Sequence, residues 1–303
     1  MEWEKLGLVY GPDGTSPWAK HSALQPTPIV LGDVIRIYCG FRDDEGTSRV
    51  GFVDVSSTDP TSVMKVSEDP VLDVGEFGTF DSHGVVPCAV VRRDEGVYLY
   101  YAGYLRGEKV RFQAFSGLAI SNDDGETFSR YSQVPILDRT EEGSLFRAIH
   151  SLIYEDGKWR TWYGAGNAFV QGKYKTLPVY NIRYMESDDG VHFPKDGSVA
   201  VDTLEGEHRV GRPYVIKKDG RYLMFFGKGM EEQPYRLTYA ESTDGINWVR
   251  RGQISGLTLS ERGWDSEMMA YPSVVTTDSG TFMFYNGNNY GRSGFGCAML
   301  KSW

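Results

Sequence analysis

The sequence predicts an all-β fold, a single five-bladed β-propeller over residues 1–303 whose ring is closed by the N-terminal strand completing the last blade. Three observations carry this. One strand pattern recurs five times at near-constant spacing, one turn signature recurs behind it, and no long 3.6-residue periodicity competes with either. The strand pattern is a lead-in segment, an apolar strand, a polar turn, and an aromatic strand ending in Gly. Its copies are "TPIVLGDVIRIYCG", "VPCAVVRRDEGVYLYYAG", "HSLIYEDGKWRTWYGAG", "RPYVIKKDGRYLMFFGKG" and "YPSVVTTDSGTFMFYNG". Aligned on Pro28, Pro87, Ser151, Pro213 and Pro272, they step by 59, 64, 62 and 59 residues. Short strands rich in β-branched and aromatic residues, bounded by Gly and Asp turns and repeated radially, are the signature of propeller blades.

The turn signature reads "SNDDGETF", "SDDGVHF" and "STDGINW", with a degenerate "SSTDP" in the first unit. Gly supplies positive φ, the Asp side chain bonds its own backbone, and the aromatic anchors the next strand. Asp124, Asp189 and Asp244 are therefore expected to be structural. The last unit, ending "GFGCAMLKSW", has room for only three strands. The N-terminal "EWEKLGLV" resembles the strands after the other turns, with Trp3 in the place of Trp248 and Phe128, so residues 3–10 are expected to supply the missing fourth strand.

Composition narrows the function. Hydrophobic residues at 40% are enough for a folded core, and no stretch of eighteen apolar residues suggests a membrane span. The N-terminus lacks an export signal, and Cys39, Cys88 and Cys297 are too scattered for a disulfide framework or a metal clamp, so a cytoplasmic setting is expected. A net charge of −9 without a Lys/Arg cluster argues against nucleic acid. No cofactor and no metal is indicated, since no ligand cluster has metal spacing.

Propeller strands alternate in direction, so the start of each innermost strand and the end of the second lie on one face. Four of the five histidines fall in the lead-in segments of that face, beside arginines, aromatics and carboxylates. Asp81, Glu207, Asp265 and Glu267 are the carboxylates expected to reach the pocket and supply an acid and a base. Glu267 has no carboxylate counterpart at that position in the other units and is a better catalytic candidate than Asp265. Substrate contacts are expected from Arg42, Asp43, His83, Arg147, His150, Arg209, Arg212, Tyr271 and Asn288. Arg147, Arg209 and Arg212 could form a fork for a carboxylate or phosphate, since guanidinium binds such groups bidentately. Each candidate has a structural alternative: Arg212 as a salt bridge between blades, His150 as a hydrogen-bonded pore residue, Asp43 as a solvated turn. Asp81 in "GTFDSHGV" and Asp265 in "RGWDSEMM" share a pattern that fits a loop cap.

At these residues the chain resembles the five-bladed glycoside hydrolase superfamily of arabinanases, xylosidases, invertases and mannoside phosphorylases. The resemblance rests on the fivefold register, on the S-x-D-G-x-x-W/F turns at 187–193 and 242–248, and on "RPYVIKKDGRYLMFF" followed by "YRLTYAESTDGINW". It implies a carbohydrate substrate. In arabinanases and invertases three carboxylates sit near the starts of the first three inner strands. Here Thr27, Val86, His150, Arg212 and Tyr271 precede the aligned column, so that triad is not clearly retained. "SNDDGETF" also fits the Asp-box of sialidases, which are six-bladed. The expected function is a glycoside hydrolase-like enzyme acting on a sugar or glycan, with the arginines extending this to an acidic or phosphorylated one. A glycoside phosphorylase, a non-catalytic glycan-binding propeller and a protein-binding scaffold are the alternatives.

Overall fold

Short apolar strands broken by Asp/Gly turns give an all-β chain, described over residues 1–173 and 175–303 in a computed structural model. The chain opens with β1 (Glu2–Tyr10), which does not pair with its successor in sequence. A first antiparallel unit follows: β2 (His21–Leu31), β3 (Val34–Arg42), β4 (Ser48–Ser56) and β5 (Val63–Val66). The second is β6 (Val85–Arg93), β7 (Gly96–Leu105), β8 (Gln113–Ser121) and the short β9 (Ser129–Arg130). The third is β10 (Phe146–Glu155), β11 (Lys158–Gln171), β12 (Thr176–Ser187) and β13 (Ser198–Val201). The fourth is β14 (Glu207–Lys218), β15 (Arg221–Met230), β16 (Arg236–Ser242) and β17 (Val249–Gln253). The last stretch supplies β18 (Ala270–Thr277), β19 (Gly280–Asn286) and β20 (Phe295–Ser302), and β1 lies antiparallel along β20 as the fourth strand.

The inner strands touch in succession, β2 to β6, β6 to β10, β10 to β14 and β14 to β18, and β18 also touches β2. Apolar side chains of adjacent units fill the space between them. Tyr38 and Phe52 pack with Leu99 and Phe115; Tyr100 packs with Tyr163 and Met185; Phe225 packs with Met283 and Tyr285. The aromatic that follows each turn closes such a layer edge-on. Phe128 meets Tyr38 at 5.4 Å, Trp248 meets Trp162 at 6.2 Å, and Trp3 meets Phe225 at 5.9 Å, all within 10° of perpendicular. Trp3 thus makes the same contact as Trp248 and Phe128.

The turns are latches between units. Ser187 and Ser242 Oγ accept the Gly190 and Gly245 amides, while Asp189 and Asp244 accept the amides that follow. In the first turn that role belongs to Asp123, whose pKa falls to about 2 as hydrogen bonds from Ser121 and Thr127 outweigh burial. Asp124, expected there, is exposed at φ 57° and pairs with Arg92 instead. The previous unit then bonds the turn glycine: Tyr38 Oη donates to Gly125 O, Tyr100 Oη to Gly190 O, and Trp162 Nε1 to Gly245 O.

Candidate functional site

Each inner strand breaks register against its partner where an extra residue bulges out of the ladder beside the cavity, and β2 and β14 break once more nearer their starts. The bulges fall at Gln25, Cys88, His150, Arg212 and Tyr271. These positions step by 63, 62, 62 and 59 residues, which corrects the proline alignment in its first two members. Gln25, Arg212 and Tyr271 each precede a proline and hold φ of 52°, 55° and 57°. A residue before proline ordinarily adopts extended backbone, and left-handed backbone at non-glycine residues costs about 1–3 kcal/mol each.

Gln25, His150, Arg212 and Tyr271 line a cavity of about 420 Å³. Strain is concentrated there, since Tyr290, also in the wall, holds φ 60°. Five arginines contribute to the lining: Arg42, Arg106, Arg111, Arg209 and Arg212. Five tyrosines do so too: Tyr104, Tyr180, Tyr235, Tyr271 and Tyr290. His83, His150, Phe112 and Phe146 add to the wall. Among the described residues no aspartate or glutamate lines it, and none of the five arginines has a carboxylate partner.

Arg212 is only 3% exposed. It donates to backbone carbonyls of three other units, Cys88 O at 2.6 Å, His150 O at 3.4 Å and Pro26 O at 3.3 Å, and to Thr27 Oγ1 at 2.9 Å. Burial lowers its pKa, yet a guanidinium does not lose its proton in a protein, so a full positive charge sits in the wall uncompensated by any carboxylate. The expected salt bridge between blades is therefore a set of charge-to-carbonyl bonds. His150, beside it, is pushed well below its ordinary pKa by burial and then by Arg212, and its Nδ1 has no hydrogen-bond partner among the described residues.

Arg209 lies across Tyr235, with its guanidinium carbon 4.2 Å from the ring centroid, and donates through Nη2 to Tyr290 Oη at 3.1 Å. Gly229 makes this possible: a Cβ there would sit 2.8 Å from Arg209 Nε. Burial would raise the Tyr290 phenol, but the charge and hydrogen bond of Arg209, with Lys175 and Arg111, outweigh it and pull the pKa below the ordinary value. Tyr104, Tyr180, Tyr235 and Tyr271 are instead raised, burial being the largest cause in each. Tyr180 and Tyr235 hydrogen-bond each other through their hydroxyls.

Of the expected substrate contacts, Arg42, His83, His150, Arg209, Arg212 and Tyr271 line the cavity, whereas Asp43, Arg147 and Asn288 do not. Asp43 caps its own turn, accepting from Glu45 N and Thr47 N, and pairs with Arg49 at 2.7 Å. Arg147 is spent on Glu142, Asp138 O and Lys195 O, away from the other two arginines of the expected fork. Asn288 accepts from Glu267 N and Met268 N and donates to Gly263 O, which fixes the fifth lead-in loop.

The four expected catalytic carboxylates also fall outside the lining. Asp81, fully buried, accepts from Arg130 Nε at 2.8 Å, Tyr101 Oη at 2.9 Å and Thr79 Oγ1 at 2.8 Å. Asp265 repeats this clamp with Lys5 Nζ at 2.9 Å and Tyr285 Oη at 3.1 Å. Glycines close the clamps: a Cβ at Gly103 would lie 2.5 Å from Asp81 Cβ, and one at Gly287 would lie 2.1 Å from Trp264 O. Glu207 takes both guanidinium nitrogens of Arg250 at 2.8 Å, and its pKa is lowered because these bonds outweigh burial. Glu267 is exposed on the loop that Asn288 holds. Asp81 and Asp265 tie a lead-in loop, and Glu207 the first residue of β14, to the outermost strand of the same unit, β9, β1 and β17 respectively.

Sequence reasoning missed Arg106, Arg111, Phe112, Tyr180 and Tyr235. They belong to the segments joining second and third strands or to the third strands themselves, and only the last residues of the second strands were considered. The basic-aromatic run "LRGEKVRF" was the available signal. Among the described residues no three His, Cys, Asp or Glu side chains gather as metal ligands, and no helix is long and apolar enough to cross a membrane.

Comparison with known proteins places the chain in a family. The sequence model of the Glycosyl hydrolases family 32 N-terminal domain matches residues 68–183. A solved "Glycoside hydrolase" superposes with a TM-score of 0.74 at 18% identity, covering 99% of this chain and 92% of that one. A 1,2-beta-oligomannan phosphorylase of Thermoanaerobacter sp. (strain X514) is 31% identical over 132 residues, 41% of this chain and 44% of its own. The "Uncharacterized protein Rv1502" of Mycobacterium tuberculosis (strain ATCC 25618 / H37Rv) is 34% identical over 305 residues, the full length of both. The chain therefore belongs to one family with that mycobacterial protein, and it shares its fold with solved glycoside hydrolases.

Proposed function

We propose that residues 1–303 form one five-bladed propeller, closed through β1, whose cavity binds an anionic carbohydrate. The circular succession of inner-strand contacts and the pairing of β1 with β20 support the ring. The observation that carries the ligand class is the lining itself: among the described residues it has five arginines without carboxylate partners and no aspartate or glutamate, in a chain of net charge −9. An uncompensated buried guanidinium is costly, and a bound carboxylate or phosphate offsets that cost with bidentate hydrogen bonds. Tyrosine and phenylalanine rings supply flat faces for sugar rings, as apolar walls with a few placed polar groups do in small-molecule sites generally.

The same lining disfavours glycosidic hydrolysis by paired carboxylates, which needs two of them flanking the scissile bond at about 5–9.5 Å from each other. Phosphorolysis keeps some support, because the oligomannan phosphorylase is a partial relative and the arginines suit phosphate. Thermal unfolding with glucuronate, galacturonate, glucose 6-phosphate and the parent neutral sugars tests the reading. The acidic sugars raise Tm and the neutral ones do not; equal shifts from glucose and glucuronate would overturn it.

A further inference from the structure

The cavity lacks the groups for hydrolysis but holds those for another way of breaking a glycosidic bond. We propose that it cleaves uronic acid glycosides by β-elimination, with Arg209 holding the uronate carboxylate and Tyr290 as the catalytic base. This deepens the anionic-carbohydrate reading and rests on it.

In a uronate the hydrogen on C5 is α to the carboxylate, and it becomes acidic only when the carboxylate charge is neutralised. The base must therefore stand beside the neutralising cation. Arg209 and Tyr290 meet this demand, since the guanidinium that would hold the carboxylate already touches the phenol oxygen at 3.1 Å. Arg209 has no carboxylate of its own among the described residues, and its guanidinium carbon lies 4.2 Å from the Tyr235 ring centroid and 5.8 Å from that of Tyr290, two rings that meet edge-on. Tyr290 is itself fixed, in left-handed backbone after Asn289 at φ 51°. The groups facing it are Arg209 from β14, Lys175 and Arg111 from the loops, and the uncharged rings of Tyr235 and Tyr271. Among the described residues three cations and no carboxylate favour the phenolate, and of the five tyrosines in the lining it alone is drawn below its ordinary pKa.

The step balances within the site. The Tyr290 phenolate takes the C5 proton, the C–H electron pair becomes the double bond between C4 and C5, and the C4–O bond breaks. The departing oxygen takes the proton back from the phenol on the same face of the ring, which restores the phenolate. No water is consumed and nothing is oxidised or reduced.

The test incubates the full chain with polymannuronate and hyaluronan, in which the C5 hydrogen and the C4 oxygen lie on one face of the uronate ring, and with short oligomers of each. Ultraviolet absorbance follows the conjugated double bond, and calorimetry measures oligomer binding. Unsaturated product accumulates with at least one polymer, faster as pH rises through the Tyr290 ionisation, and its rate falls about a hundredfold or more in Tyr290→Phe. Oligomer affinity in that variant changes less than about threefold, and its circular dichroism matches the parent. Binding without unsaturated product, new reducing ends without the double bond, or equal rates in Tyr290→Phe would each overturn elimination while leaving anion binding intact. No binding of any acidic oligomer would overturn the reading beneath it.

Discussion

Asp81→Asn separates a structural from a catalytic reading of the lead-in carboxylates. Asp81 is fully buried and accepts three hydrogen bonds, one from the Arg130 guanidinium. Neutralising one member of a buried ion pair costs about 3–5 kcal/mol. Arg130 is 22% exposed, so water recovers part of its solvation, and asparagine keeps an acceptor for Tyr101. A loss of about 2–3 kcal/mol follows, which at about 2 °C per kcal/mol for a domain of this size lowers Tm by about 4–6 °C. Scanning calorimetry gives the number, and glucuronate binding at a temperature well below Tm gives the second readout. The substitution lowers Tm and leaves affinity within about twofold. An unchanged Tm with loss of binding or turnover would refute the clamp and return Asp81 to the site.

Trp3→Ala removes a ring that is 2% exposed and packed against Phe225; it costs about 3–5 kcal/mol by urea titration, while Trp3→Phe costs clearly less because the edge contact survives. His150 is kept neutral by burial and by Arg212. The unfolded chain takes up a proton there near pH 6.5 and the folded chain does not, so stability conferred by this site is present above about pH 6.5 and lost as pH falls below it. His150→Gln flattens that segment of the stability–pH curve, and an unchanged slope between pH 7 and 5 contradicts it. Arg209→Met abolishes the stabilisation that saturating glucuronate gives the parent, about 2.7 kcal/mol at a hundred times Kd; full retention would remove Arg209 from the ligand.

The fold was legible because its determinants are local and repeated. The turn serines, aspartates and glycines sit within eight residues of one another, and Trp3 follows the same rule as Trp248 and Phe128. The site was legible only in part. Pro26 and Pro28 both offer an alignment point in the first unit, and the bulge that selects Gln25–Pro26 depends on left-handed backbone that no residue type announces before a proline. The carboxylates were placed on the correct loops but given the wrong neighbours. Asp81 finds Arg130 at a separation of 49 residues, Glu207 finds Arg250 at 43, and Asp265 finds Lys5 at 260, distances at which pairing cannot be read from spacing. With those charges withdrawn, the arginines remain, and the cavity changes from a candidate acid/base pair into a cationic, tyrosine-walled one.

The account stands most directly on where an acidic sugar lies. A crystal structure of the chain with a short mannuronate oligomer would show it: a carboxylate lies within hydrogen-bonding distance of Arg209 Nη1 or Nη2, beside Tyr290 Oη, with sugar rings against the tyrosine wall. An oligomer bound outside the cavity, or held inside it by hydroxyls with its carboxylates turned to solvent, would contradict it.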